Sequence, residues 1–230
     1  MLLKCFASAE ALVSEGAADV LGHLAHAWAS RGKASLVVSG GRSPRAFFEQ
    51  LRTGDLEWRG VWVTLADERW VEPTDATSNE RLVREELLRG KAAAARFVGL
   101  KNEASSPEQG AAAAWQALAP VPRPFDVTIL GMGDDGHTAS LFPRSPNLKS
   151  ALDESAAGAC VGMCSPMPPR ARLSLNLSAL LDSGRIIILI RGESKLRAYR
   201  AASGPGPVEE MPVRAVLRQQ RTPVQVLWAP

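Results

Sequence analysis

Six short apolar runs punctuate the chain: SLVVS at 35–39, VWVTLA at 61–66, FDVTIL at 125–130, RLSLN at 172–176, RIIILI at 185–190 and PVQVLW at 223–228. Several are apolar on both faces. A strand with one face in water alternates polar and apolar residues, so these runs demand cover on each side. The intervals between them carry helix starts. Ser43 followed by Pro44 has the order of an N-cap and a first-turn proline, and Thr77-Ser-Asn-Glu80 and Ser106-Pro-Glu-Gln109 have capping-box spacing. Strand, loop, helix, strand predicts an α/β fold with a parallel or mostly parallel sheet. With 46% hydrophobic residues, 230 residues suffice for one sizeable core, and residues 1–230 are expected to form a single α/β domain. There is no internal repeat; GKAAAARF and GAAAAWQ are alanine-rich helix surface.

The charge pattern narrows the partners. A net charge of +3 without any block of Lys and Arg excludes the usual nucleic-acid arm and polybasic membrane anchor, while leaving small anions open. No apolar run approaches the ~18 residues of a spanning helix, and MLLKCFASAE lacks the basic-then-apolar order of a signal peptide, so the expected location is the cytoplasm. Cys5, Cys160 and Cys164 are odd in number, which fits a reducing compartment; with no ligands clustered near them they are expected to be buried or incidental thiols, not a metal site. On a helix over residues 9–30, Val13, Ala17, Val20, Leu24 and Trp28 share one face, and His23 and His26 fall outside it, solvated and without a third metal ligand.

Ligands of open parallel sheets bind at the carboxyl ends of strands, and three loops there carry unusual residues. SGGRSP (39–44) combines the hydroxyls of Ser39 and Ser43 with Gly40 and Gly41, whose backbone turns tightly, and a helix start at Pro44. It lacks the Walker spacing, so a sugar phosphate suits it better than a nucleotide. A capped glycine-rich turn would look similar; Arg42, a guanidinium suited to a phosphate fork, favours the anion site. In ADERWVEPTDATSN (66–79), Asp67 and Glu68 beside Arg69 can orient that arginine or serve as acid and base, while an isolated D-E-R favours a local ion pair at a loop mouth.

The third loop, LGMGDDGHTASLFP (130–143), satisfies G-x-G-x-x-G through Gly131, Gly133 and Gly136. The dinucleotide fingerprint nonetheless fails here: the loop is not in the first βαβ unit, Asp134 and Asp135 would crowd a pyrophosphate, Pro143 stops any helix, and no strand ending in an acid follows. The glycines instead bring backbone close to a ligand while His137 is displayed. Asp135, two residues earlier, suits a carboxylate that fixes the imidazole tautomer, the arrangement a general base needs. A lone histidine beside an aspartate serves structure as readily, and residues alone leave both readings standing.

GMGDDGHTASLFP, SGGRSP, ADERWVEPTDATSNERLVREELL and RARLSLNLSALLDSGRIIILIRGESK together resemble, in order and over most of the chain from about residue 35, the 6-phosphogluconolactonases of the oxidative pentose phosphate pathway. The resemblance implies a Rossmann-like α/β fold, a mostly parallel sheet with helices on both faces, related to the glucosamine-6-phosphate deaminases. It also implies hydrolysis of 6-phosphoglucono-δ-lactone to 6-phosphogluconate without metal or organic cofactor, by a monomer or weak homodimer. The deaminases are the runner-up. They typically carry D-E-Y where this chain has Asp67-Glu68-Arg69, and a glutamate five residues after the histidine, where this chain has Phe142. A sugar-phosphate-binding sensor without turnover is the third reading; the retention of His137, Asp135 and Arg69 speaks against it.

On this resemblance His137, held by Asp135, activates water, and Arg69 stabilises the tetrahedral oxyanion. Arg172 and Lys195 map onto the family's phosphate-end arginine and lysine, with Ser39, Gly40, Gly41, Arg42 and Ser43 completing the cradle and Asp67 and Gly133 also facing substrate. Lys195 falls in a first helical turn, which the helix dipole disfavours unless an anion sits there. Asp134 beside Asp135 is a minor departure.

Overall fold

The computed structural model describes residues 2–41 and 44–230. From the amino end run β1 (Leu2–Cys5), α1 (Ala9–Arg31), β2 (Ala34–Val38), α2 (Arg45–Thr53), β3 (Val61–Leu65), β4 (Asp67–Arg69), α3 (Asn79–Glu86), β5 (Arg96–Val98), α4 (Pro107–Ala117) and β6 (Val127–Gly131). The second half contains α5 (Leu148–Ala151), β7 (Cys160–Cys164), β8 (Ala171–Leu175), α6 (Leu177–Leu181), β9 (Ile186–Arg191), α7 (Gly192–Ser203), α8 (Val213–Arg218) and β10 (Val224–Ala229).

Seven strands pair in parallel in the order β1-β10-β9-β6-β2-β3-β5. The two-faced apolar runs take its interior, and β2 is buried at all its positions. The chain builds outward from β2 through β3 to β5, returns to β6 and builds the other way through β9 to β10. The direction therefore reverses between β2 and β6, where a crevice opens beyond the carboxyl ends. Buried side chains from Phe6 to Ala229 join in one hydrophobic cluster about this sheet.

The run at 172–176 departs from its expected place. As β8 it belongs to a second, antiparallel sheet ordered β4-β8-β7. An apolar run records burial, not strand direction, so its sequence did not distinguish the two. Asp67-Glu68-Arg69, expected as loop, is the edge strand β4, one residue beyond β3. Strands β1 and β5 escaped notice because they are largely exposed or half-buried and lack the two-faced pattern.

Helix starts also shift in detail. The cap of α3 is Ser78, not Thr77: its Oγ accepts the Arg81 N–H at 3.2 Å, and Glu80 pairs with Arg84 instead of closing a box. Ser106 caps α4 as expected. The cap assigned to Ser43 lies outside the described residues. Helix α1 buries Leu12, Gly16, Ala17, Val20, Leu24 and Ala27, while Val13 is half-buried and Trp28 is exposed. The inward face is turned from the predicted one because α1 must meet α2 as well as the sheet. His26 is exposed, and half-buried His23 lies 3.6 Å from Asp19.

Candidate active site

Strand β2 runs out into Ser39, Gly40 and Gly41. The Ser39 N–H donates to Ile129 O at 3.0 Å, binding this loop to β6 across the reversal point. A Cβ on Gly40 would lie 1.8 Å from Asn79 Oδ1, so any larger residue forces the Asn79 side chain or the loop to move. Arg42 and Ser43, assigned to the same cradle, lie outside the described residues.

Strand β6 ends in a turn that carries the histidine. The Gly133 N–H donates to His137 O at 2.8 Å and the Gly136 N–H to Gly133 O at 3.1 Å. A Cβ on Gly133 would meet His137 Nδ1 at 2.1 Å and Asp135 Oδ1 at 2.3 Å, so the absent side chain is what lets the pair lie across the turn. His137 Nδ1 and Asp135 Oδ1 are 2.6 Å apart, and the His137 backbone N–H donates to the same oxygen at 3.1 Å. Burial alone would raise the Asp135 carboxyl, but the bond and charge of His137 outweigh it and hold the group below its usual range. With Nδ1 committed to the carboxylate, Nε2 is the ring nitrogen left for a ligand. The Phe142 ring packs on the imidazole, with centroids 4.5 Å apart. No helix follows until α5, so the glycine pattern does not open one as a dinucleotide fingerprint must.

The antiparallel sheet supplies the cations. Arg69 on β4 faces Arg172 on β8 in register. Like charges directly opposite repel, and an anion between them would relieve the repulsion. Arg172 is buried, and burial, reinforced by the Arg69 charge, lowers its guanidinium to about 10 against the pull of Asp67 and Glu68. Arg69 donates to the Thr77 carbonyl, and no ion pair joins it to its neighbouring carboxylates. Asp67 accepts the Ser140 hydroxyl at 2.6 Å, while Asn79 Nδ2 donates to its carbonyl at 2.8 Å. Glu68 is fully buried, which corrects the expectation of an ion pair at a loop mouth.

Lys195, in the first turn of α7, lies 3.3 Å from Asp134, whose Oδ1 also accepts the Ser194 hydroxyl at 2.9 Å. The anion that a first-turn lysine calls for is thus partly supplied by Asp134, which engages Lys195 instead of His137.

Ser39, Gly40, Gly41, Asp67, Arg69, Gly133, Asp135, His137, Arg172 and Lys195 all line one cavity of about 430 Å³. Asn79, Phe142, Arg191 and Met167 line it too. Asn79 was hidden inside a helix-start pattern, and Phe142 was singled out only for what it is not. Among the described residues, five buried side-chain polar atoms find no hydrogen-bond partner in the protein: Ser39 Oγ, Arg69 Nε, Asn79 Oδ1, Arg172 Nε and Arg214 Nε. The first four belong to residues lining this cavity, a concentration that marks a polar binding site. Cys160 is buried, its thiol pushed by burial up to about 12, whereas Cys5 and Cys164 are exposed. Among the described residues no three His, Cys, Asp or Glu are grouped to hold a metal, and no helix is long and apolar enough to cross a membrane.

Residues 7–228 match the family model described as glucosamine-6-phosphate isomerases/6-phosphogluconolactonase. The chain is 48% identical to a 6-phosphogluconolactonase of Pseudomonas aeruginosa, over 93% of this chain and 89% of that one. It is 44% identical to one of Rhizobium meliloti, over 99% and 98%. Among solved structures, a 6-phosphogluconolactonase from Shewanella baltica superposes with a TM-score of 0.96 at 46% identity, covering 100% of this chain and 98% of that one. A monomeric glucosamine-6-phosphate deaminase reaches a TM-score of 0.79 at 19% identity, over 100% and 97%, a likeness of fold alone.

Proposed function

The chain belongs to the glucosamine-6-phosphate isomerase/6-phosphogluconolactonase family, and on that premise we propose that it hydrolyses 6-phospho-D-glucono-1,5-lactone to 6-phospho-D-gluconate, with His137 as general base. The observation that carries the reading is the bond from Asp135 to His137 Nδ1 in a cavity with Arg69, Arg172 and Lys195. Asp135 holds the imidazole with Nε2 unprotonated toward the cavity. Nε2 takes a proton from water, and the hydroxide attacks the lactone carbonyl. Arg69 stabilises the resulting oxyanion. As the ring C–O bond breaks, the imidazolium returns its proton to the departing ring oxygen, leaving a carboxylic acid that ionises in water.

General-base assistance is typically worth ~10²–10⁴-fold and an oxyanion donor ~10²–10³-fold. An activated lactone needs little more. Arg172, Lys195 and the Ser39–Gly40–Gly41 backbone hold the phosphate, and that remote binding energy orients the reacting carbonyl. Phe142 argues against amine chemistry: its apolar ring packs on His137, it stands at the sequence position where the deaminase pattern has a glutamate, and it relays no proton. The reading extends to one α/β domain over residues 1–230 and a soluble, cytoplasmic setting for this chemistry.

The test is acid release from freshly generated lactone above its spontaneous rate, with ammonia release from glucosamine 6-phosphate followed in parallel. Lactone hydrolysis that collapses in His137→Ala supports the proposal. Ammonia release, or saturable phosphate-sugar binding without turnover, overturns it.

A further inference from the structure

The structure places an ionisable side chain at zero exposure immediately behind the candidate oxyanion stabiliser, and the proposed reaction gives it no role. Glu68 Oε1 accepts the backbone N–H groups of Arg69 and Asn79, each at 2.7 Å. Its Oε2 accepts the Glu80 N–H at 2.7 Å and the Ser78 hydroxyl at 3.1 Å. All four partners donate, so both oxygens are used as acceptors and the ionised form is the one that satisfies them. Burial pushes this carboxyl up to about 7, against the three N–H groups that lower it, so the arrangement is held at a cost.

Helix capping accounts for part of this. The Asn79 and Glu80 amides open α3, and an acidic acceptor there is favourable. Yet α3 already has a cap in Ser78, and the Arg69 amide belongs to no helix. Trp70 N–H donates to Ala171 O across the sheet, so strand alternation turns the Arg69 N–H away from β8, and Glu68 gives it a partner there. The guanidinium of Arg69 closes the same corner from the other side. It donates to the carbonyl of Thr77, the residue just before the clamped Ser78–Glu80 segment. The location of the Arg69 charge therefore depends on where the start of α3 sits, and Glu68 sets that.

We infer that Glu68 is a positioning residue for catalysis: its carboxylate fixes both the backbone of Arg69 and the carbonyl that aims the Arg69 guanidinium at the reacting end of the substrate. It is not a catalytic residue, because its side chain is walled off from the cavity by the residues it holds. This inference rests on the reading of Arg69 as the oxyanion stabiliser.

A double-mutant cycle on lactone hydrolysis tests it, with Glu68→Gln, Arg69→Ala and the double variant, each normalised to folded protein by thermal melting. Gln keeps the volume but turns an NH2 group toward donors. The expected result is a kcat about 10-fold lower in Glu68→Gln with KM changed less than about 3-fold, since a misplaced oxyanion donor forfeits part of its ~10²–10³-fold. In the Arg69→Ala background the Glu68 change should then cost little more, because the two act as a unit. A Glu68→Gln protein that melts earlier but keeps the wild-type kcat, or a double variant whose losses multiply, overturns the inference. If Glu68→Gln does not fold, Ser78→Ala removes one of the four donors and enters the same cycle with the same criteria. If Arg69→Ala itself leaves kcat intact, it is the role of Arg69 that fails, an outcome separable from additivity at Glu68.

Discussion

The turn after β6 and the corner between β4 and α3 each hold a carboxylate, and they hold it in opposite ways. Asp135 is half-exposed on a short turn, bonded to His137, and its negative form is favoured. Glu68 is sealed in, surrounded by four donors, and its negative form is penalised by burial. The first arrangement keeps a reactive ring oriented yet open to a ligand. The second spends stability on fixing backbone. Chemistry and positioning thus make different demands on the same functional group, and exposure separates them.

Replacing the open side should have the largest effect. His137→Ala is expected to lower lactone hydrolysis about 10²–10⁴-fold, with melting near wild type, read by acid release. If the loss is under about 10-fold, the turn after β6 is not the reactive half of the comparison. Next come the phosphate-end cations. Arg172→Ala or Lys195→Ala should weaken 6-phosphogluconate binding roughly 10- to 100-fold in calorimetry, the range of one charge-assisted hydrogen bond. Arg172→Ala should also destabilise less than truncation of a buried cation usually does, because it relieves the repulsion with Arg69.

Gly40→Ala disturbs the α3 corner from the phosphate loop. Its Cβ would drive into Asn79 Oδ1, so the phosphate loop and the α3 corner cannot both keep their places. A several-fold rise in KM is expected where the phosphate loop gives way, and a fall in kcat as well where the start of α3 does, read by steady-state lactone hydrolysis.

The smallest effect is on stability against pH, and the two carboxylates predict opposite signs. The folded pKa of Glu68 is raised from 4.5 to about 7, so the folded protein binds that proton more tightly than the unfolded chain. Its contribution to stability is then most favourable at and below pH 4.5 and falls as pH rises to about 7, by at most about 3 kcal/mol. Asp135 is lowered, so its contribution is present above its unfolded pKa and is lost as pH falls through its folded one. Melting temperatures from pH 2 to 8 for wild type, Glu68→Gln and Asp135→Asn check this. The gap between wild type and Glu68→Gln should narrow as pH rises to about 7, and the gap to Asp135→Asn should narrow only on acidification.

Much of this was legible before the fold. Asp135 and His137 are two residues apart, and a turn rich in glycine brings such a pair into contact through local geometry. The loop glycines and the first-turn Lys195 are likewise local signals. Arg69 and Arg172 are more than 100 residues apart, and only strand pairing makes them neighbours. Asn79 looked like an ordinary helix-start residue, and its meeting with Gly40 leaves no trace in either segment.

The sequence by itself determined the α/β class, the interior strands of the parallel sheet, the three loops that carry chemistry and the family. Each of these rests on hydrophobic period, glycine and proline conformation, or a motif a few residues long. The antiparallel placement of β8, the opposition of two arginines and the burial of Glu68 were decided only by tertiary structure. Burial and pairing are properties of which distant segments exclude water from one another, and no local pattern of residues encodes that partner.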